Sequence, residues 1–158
     1  MDAEISRFNI RVYGIMLNDQ NEVLVSDEII KRGKYTKFPG GGLNLGEGVI
    51  DCLRREFREE AEVEIIVKEH IYTTDFFQKS FFDDSQVISI YYLVKSLKAN
   101  TIRVSKDPFD TANSYNLNQN FRWVKIEDLN LEPYLTLPID KKVVHILNML
   151  RMMLTNMI

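Results

Sequence analysis

The sequence has 158 residues, 45% hydrophobic and 27% charged, with 20 Lys and Arg against 23 Asp and Glu and a net charge of −3. That is the size and composition of one globular domain, so general disorder is excluded, and no bulk positive charge marks a DNA or RNA binder. The single cysteine, Cys52, excludes an intrachain disulfide and any multi-cysteine metal site, and it fits a reducing compartment. The start, Met1-Asp2-Ala3-Glu4, is acidic and no apolar run follows it, so it does not read as a signal peptide. No apolar stretch approaches the roughly 20 residues needed to cross a bilayer. A cytoplasmic protein without membrane or DNA partners is expected.

In chain order, Asn9 to Leu17 reads as a strand, Asn18-Asp19-Gln20-Asn21 as a turn, and Glu22 to Ile30 as the returning strand. Lys31 to Lys37 reads as a basic loop. Phe38-Pro39-Gly40-Gly41-Gly42 breaks regular structure, with room for a short strand. The period predicts a helix over Val49 to Ala61, with Ile50, Leu53, Phe57 and Ala61 on one side. Val63 to Thr74 is β-branched, and Gln86 to Val94 alternates as a strand does. Ala99 to Asn120 is polar and mostly loop, Phe121 to Ile126 is a strand, and Glu127 to Leu131 is a helical turn. Pro138 opens a last helix over Ile139 to Leu154. No repeat or linker divides the chain. Helices mixed with strands, without strict alternation, predict a mixed sheet with helices packed on it.

The informative stretch is Gly40 to Val63. At about 100° per residue, Glu56, Glu59 and Glu60 share one sector of the helix, beside the apolar stripe and free of Lys and Arg. Such like charges destabilise a helix by a few tenths of a kcal/mol per pair, a cost that a bound cation removes. Oxygen ligands on a rigid support suit a hard ion such as Mg²⁺ or Mn²⁺. Glu47 to Glu64 holds seven acids and three bases, so the whole acid excess sits here. On the helix alone, a solvated acidic face is the competing reading.

The preceding loop adds a pattern. Gly41, five residues, Glu47, seven residues and Arg55-Glu56-Phe57-Arg58-Glu59-Glu60 resemble the Nudix box of the Nudix hydrolases. The one departure is Glu62, where the family has glycine as a helix stop; Val63 then supplies the expected apolar residue. Phe38-Pro39-Gly40-Gly41, Phe121-Arg122-Trp123-Val124 and Glu127-Asp128-Leu129 extend the likeness. The resemblance implies the Nudix α/β/α sandwich around a mixed β-sheet, one domain over residues 1–158. It also implies Mg²⁺- or Mn²⁺-dependent hydrolysis of a diphosphate bond in a nucleoside diphosphate linked to another group. ADP-ribose, a nucleoside diphosphate sugar or a nucleoside triphosphate would be the small-molecule partner. By the family's pattern, Glu59 and Glu60 are metal ligands, Glu56 is a ligand or the general base, and Gly41 offers a backbone carbonyl. Arg55 and Glu47 would pin the loop to the helix, and Arg55 could also orient Glu59. The rival reading is a non-catalytic nucleotide-binding module on the same fold.

Other signals are weaker. Arg32, Lys34 and Lys37, beside Gly40 and Gly41, could grip the substrate's phosphates or its distal group. Phe76, Phe77, Phe81 and Phe82 read as aromatics packed in the core or at a subunit interface, with stacking on a nucleobase, also open to Tyr35, as the functional alternative, and Asp107 or Asp110 as a late-loop acid. His70, His145 and Cys52 read as structural. In the last helix Ile139, Val143, Ile146, Leu147, Leu150, Met153 and Leu154 form the stripe to be buried. Val144, Met149, Met152 and Met157 lie beyond it, an excess of apolar surface that suggests a homodimer.

Overall fold

A computed structural model describes residues 4–156, with backbone alone at 154 and 155. Met1, Asp2, Ala3 and Met157, and the side chain of Leu154, lie outside the described residues. The contacts group into two compact units, residues 1–16 with 39–102, and residues 17–38 with 103–158. No helix among the described residues is long and apolar enough to cross a membrane.

The first unit holds β1 (Arg7–Met16), the three-residue β4 (Gly40–Gly42), α1 (Val49–Ala61), β5 (Ile66–Thr73) and β6 (Ser85–Lys95). Its strands run in the order β4-β1-β6-β5, with β1 and β6 parallel and the other pairings antiparallel, so the sheet is mixed. The edge strand β5 breaks register between Val67 and His70 and again between His70 and Tyr72. α1 packs on β1 and β4. It buries Cys52, Leu53, Phe57 and Ala61, and each large apolar side chain so buried contributes about 1.5–3 kcal/mol. Ile50, expected in the stripe, is exposed; it lies in the first turn, and Cys52 takes the inward place. Glu62 ends the helix in the left-handed region, at φ 54° and ψ 35°, with its N–H bonded to the Phe57 carbonyl. The helix therefore stops as a glycine would stop it, at the conformational cost of a side chain, on the order of 1 kcal/mol.

The second unit holds β2 (Glu22–Ile30), β3 (Gly33–Lys37), β7 (Gln119–Lys125) and α2 (Pro138–Asn156), with a 3-10 turn over Ile126–Leu131. Its sheet is antiparallel in the order β3-β2-β7. The expected basic loop is mostly a strand: Gly33 turns the chain and Tyr35-Thr36 supply β-forming residues. The lysines disguised it, and an edge strand tolerates lysines well. Val144 belongs to the core with Ile139, Val143 and Leu147, whereas Leu150 and Met153, expected inside, are exposed with Met149 and Met152. The buried stripe thus covers the first half of α2 only. In the first unit Phe76, Phe77 and Phe81 are exposed, so of the two expected packings the core is excluded for them; they fall on the irregular connection between β5 and β6.

Candidate active site

The loop after β4 and the face of α1 bring the predicted residues of the first unit together around one guanidinium. Arg55 Nε donates to Glu47 Oε2 at 2.6 Å, and Nη2 donates to Glu47 Oε1 at 3.0 Å. Nη2 also reaches the Gly42 carbonyl at 3.1 Å. Nη1 serves two acids of the helix, Glu56 at 3.0 Å and Glu59 at 3.1 Å. Arg55 thereby ties the glycine strand, the loop and two of the three helix carboxylates into one network. A planar fork with five donors can do this; a lysine cannot. The Glu47 hydrogen bonds raise the proton affinity of Arg55 further and hold the Glu47 carboxyl at about 2, well below the ordinary 4.5.

The three carboxylates differ in surroundings. Glu59 is exposed and Glu60 half-buried, while Glu56 is only 9% exposed. Gly41 is the reason Glu56 can be there. A Cβ at position 41 would lie 2.5 Å from the Glu56 carboxyl carbon, so only a bare α-carbon lets this carboxylate seat against β4. Burial pushes the Glu56 pKa up, opposed by the charge and hydrogen bond of Arg55. The site therefore holds a carboxyl group of raised proton affinity next to an exposed one fixed by the same arginine. Cys52 is buried beneath them, its thiol donating to the Gly42 carbonyl at 3.4 Å. Burial pushes that thiol up to about 12, so it stays protonated and unreactive.

Among the described residues, no three His, Cys, Asp or Glu side chains are gathered closely enough to hold a metal ion. The reason is visible: Glu56 and Glu59 are turned onto Arg55. The donor chemistry still fits a hard divalent cation, because every candidate ligand is an oxygen and the absence of a Cβ at Gly41 lets the Glu56 carboxylate lie against the backbone there.

The remaining predicted residues belong to the second unit. Arg32 and Lys34 are exposed, and Lys34 lies over the Phe109 ring, 5.2 Å from its centroid. Lys37 is not on a loop at all; it is 7% exposed in β3, and its ammonium pairs with Glu28. Asp110 accepts from the Ser105 hydroxyl and the Ala112 N–H within its own loop, and Asp107 is exposed. His70 bonds the Thr73 hydroxyl, and His145 faces outward.

Two features escaped the sequence reading. Arg11 and Tyr13 of β1 flank the glycine strand, and strand alternation, which puts both on one face, was the available signal. The second is a buried ion network in the second unit. Asp27, fully buried, accepts two bonds from Arg122 at 2.5 and 2.9 Å and one from the Thr36 hydroxyl at 2.8 Å. Arg122 also meets Glu132 at 2.8 Å. Burial works against the Arg122 charge, and Asp27 and Glu132 more than offset it. Charged residues in strands of otherwise apolar pattern were the only trace of it.

Residues 7–145 match the family model described as the NUDIX domain. Solved structures of low identity share the fold. A NUDIX hydrolase from Nitrosomonas europaea is 16% identical, with 89% of this chain and 88% of that one covered at a TM-score of 0.66. The E. coli ORF135 protein is 18% identical, with 92% and 91% covered at 0.66. A MutT protein from Methanosarcina mazei Go1 is 18% identical, with 89% and 92% covered at 0.65. No curated protein matches the chain. The fold class is α/β, that of the Nudix α/β/α sandwich with its mixed sheet.

Proposed function

Because the chain belongs to the NUDIX family and is accordingly a pyrophosphohydrolase of nucleotide-like substrates, we propose that Gly41, Glu47, Arg55, Glu56, Glu59 and Glu60 form its active site. The substrate in this reading is a nucleoside diphosphate joined to another group, ADP-ribose or a nucleoside diphosphate sugar ahead of a nucleoside triphosphate. The whole chain serves as one Nudix domain. The observation that carries the reading is the Arg55 network, one guanidinium shared by Glu47, Glu56 and Glu59 against a glycine strand.

Family membership implies dependence on a divalent metal. We assign Mg²⁺ or Mn²⁺ to Glu56, Glu59, Glu60 and the Gly41 carbonyl. When bound, such an ion supplies positive charge to the phosphates and acidifies water. The chain's own residues do the rest. Glu56, buried against the glycine strand and held by Arg55, is the carboxylate that would take a proton from the attacking water. Arg55 fixes the orientation of Glu56 and Glu59, and Glu47 fixes Arg55. Gly40 and Gly41 let the backbone approach the diphosphate. Arg32 and Lys34 are kept in this reading as substrate-binding cations, while Lys37, buried and committed to Glu28, is not. In this reading the enzyme is cytoplasmic, and a homodimer contact uses the last helix at the exposed Met149 and Met152, the aromatic loop at Phe76, Phe77 and Phe81, or both.

The test is a phosphate-release screen of ADP-ribose, nucleoside diphosphate sugars and nucleoside triphosphates, with Mg²⁺ or Mn²⁺ and with excess chelator. Turnover that needs the metal is expected, together with a rise in melting temperature on adding the ion. The Glu56, Glu59, Glu60 triple alanine should lose that rise. Full turnover in chelator, or a metal response surviving in the triple alanine, would remove the assignment.

A further inference from the structure

The second unit buries one polar group that its own bonds do not reach. Asn120 of β7 is 2% exposed, and neither its amide nitrogen nor its amide oxygen has a hydrogen-bond partner among the described residues. In the register of the sheet Asn120 stands opposite Asp27 of β2, and Asp27 stands opposite Thr36 of β3. Paired residues share a face, as do residues two apart along a strand, so Asn120 lies on one face with Asp27, Thr36 and Arg122. Those neighbours are committed to one another. The Asp27 carboxylate accepts from the Thr36 hydroxyl at 2.8 Å, from Arg122 at 2.5 and 2.9 Å and from the Phe109 N–H at 3.3 Å. Arg122 also serves Glu132 through both outer nitrogens. An amide deprived of water and of protein partners costs stability, and a leucine of nearly the same shape would avoid that cost.

The segment that seals this amide is lightly held. Val104 and Ser105 run beside Phe121, the residue next to Asn120, with the Ser105 N–H bonded to the Phe121 carbonyl at 2.9 Å. Four residues later the Phe109 N–H meets the Asp27 side chain, one strand further in. Between these points the chain crosses from the flank of β7 to β2, over the face that carries Asn120. Lys106, Asp107 and Pro108, which make the crossing, are exposed. The inner end is strained: Phe109 holds φ at 61°, a left-handed conformation that bulky side chains seldom adopt. Its ring meets Tyr134 edge-on at 4.8 Å, with Lys34 over it. A short exposed strap, fixed at its inner end by one long hydrogen bond and one ring, belongs to the low end of local stability.

We propose that the Ser105–Phe109 strap opens over Asn120, and that the uncovered amide then holds the nucleobase of the substrate by a pair of hydrogen bonds. The assignment rests on the nucleotide substrate proposed above. The chemistry suits the role. A side-chain amide offers one donor and one acceptor side by side, the complement of a base edge, and adenine presents that pair at N6 and N7. A phosphate, which only accepts, would leave the amide oxygen unserved.

The experiment follows binding of ADP, UDP, GDP and inorganic pyrophosphate, each with Mg²⁺, to the full chain by calorimetry, in wild type and in Asn120→Leu. Wild type should bind at least one nucleotide about 10- to 100-fold more tightly than pyrophosphate, the range of a paired base contact. Asn120→Leu should lose that margin, keep its pyrophosphate affinity, and melt at the wild-type temperature or above it. The side-chain amide signal that the substitution removes from the NMR spectrum should shift, in wild type, on adding the preferred nucleotide and stay in place on adding pyrophosphate. The Phe109 amide proton should exchange faster than those of the β7 ladder. An unchanged margin in Asn120→Leu, or an amide signal that the nucleotide leaves in place, overturns the proposal and leaves the active-site reading standing. A marked fall in melting temperature or a failure to fold in Asn120→Leu also overturns it, because the amide would then serve the core. A Phe109 amide as protected as the ladder removes the opening strap and the proposal with it. Loss of the margin in Asn120→Leu, in a protein whose wild type turns over no compound, upholds the base contact and rejects hydrolysis. A wild type that binds no nucleotide more tightly than pyrophosphate overturns the base contact, whether or not it hydrolyses one.

Discussion

Two arginines in this chain make the same kind of bond and serve opposite ends. Arg55, partly exposed, joins three carboxylates of the first unit; Arg122, only 6% exposed, joins two in the second. Around Arg122 one partner, Asp27, is fully buried and the other, Glu132, is half-buried, and every bond returns to the strand ladder or its flank. Around Arg55 one acid is exposed, one is buried by a glycine, and one lies in a loop. The first arrangement tolerates no loss of a partner, because a charge would be stranded away from water. The second can exchange partners with solvent, cation or substrate. An arginine–carboxylate pair therefore announces neither structure nor function by itself; the exposure of its acids decides.

That contrast can be broken from either side. The largest effect is expected at the active site. Glu56→Gln should lower kcat by about 10²–10⁴-fold, the range of a positioned general base. Its stability should match or exceed wild type, since burial already penalises the Glu56 charge. Denaturant midpoints measured beside initial rates check both halves, and a clear loss of stability would make Glu56 a structural acid. On the other side, Asp27→Ala should cost about 3–5 kcal/mol of unfolding free energy by stranding Arg122. Urea titration reads this directly, and a cost below about 1 kcal/mol would mean that the network is not the anchor its burial indicates.

The smallest effect concerns pH. Glu47 has its carboxyl near 2 in the fold against 4.5 ordinarily, because Arg55 donates to it. Its contribution to stability is full above pH 4.5 and is lost as pH falls toward about 2. The melting temperatures of wild type and Glu47→Gln should therefore converge across that interval; a difference that stays constant would place the contribution elsewhere. Glu56 has the opposite sign, since its raised pKa favours the fold below 4.5 and stops doing so as pH rises through the raised value.

The sequence reading was sharpest where one period or one spacing carried the information. The helix Val49–Ala61 and the strand Glu22–Ile30 have the bounds that their patterns predict. The Glu47–Arg55 pairing follows from spacing in the family's box. It was weakest where partners lie far apart in the chain. Asp27 and Arg122 are 95 residues apart, and no local pattern links them. Lys37 misled because a lysine run looks like a loop when its partner, Glu28, lies on the neighbouring strand. Val144 misled because a helical wheel gives the angle of a residue and not how wide a face its neighbours cover. Glu62 shows the reverse: the left-handed stop survives without the glycine that usually marks it.

The outer strand β5 bears on how the molecule behaves when crowded against its own copies. Lys68, Glu69 and His70 on it are exposed, and two register shifts break its ladder within eight residues. A straight, apolar sheet rim would be a template for further chains, which could stack on it rung by rung into a fibre. Here an incoming strand meets charge and finds its rungs out of step after a residue or two. At the opposite rim β4 is three residues long, too short to seed such growth. Both ends of the sheet that carries the proposed active site are thus closed to polymerisation by their own irregularity.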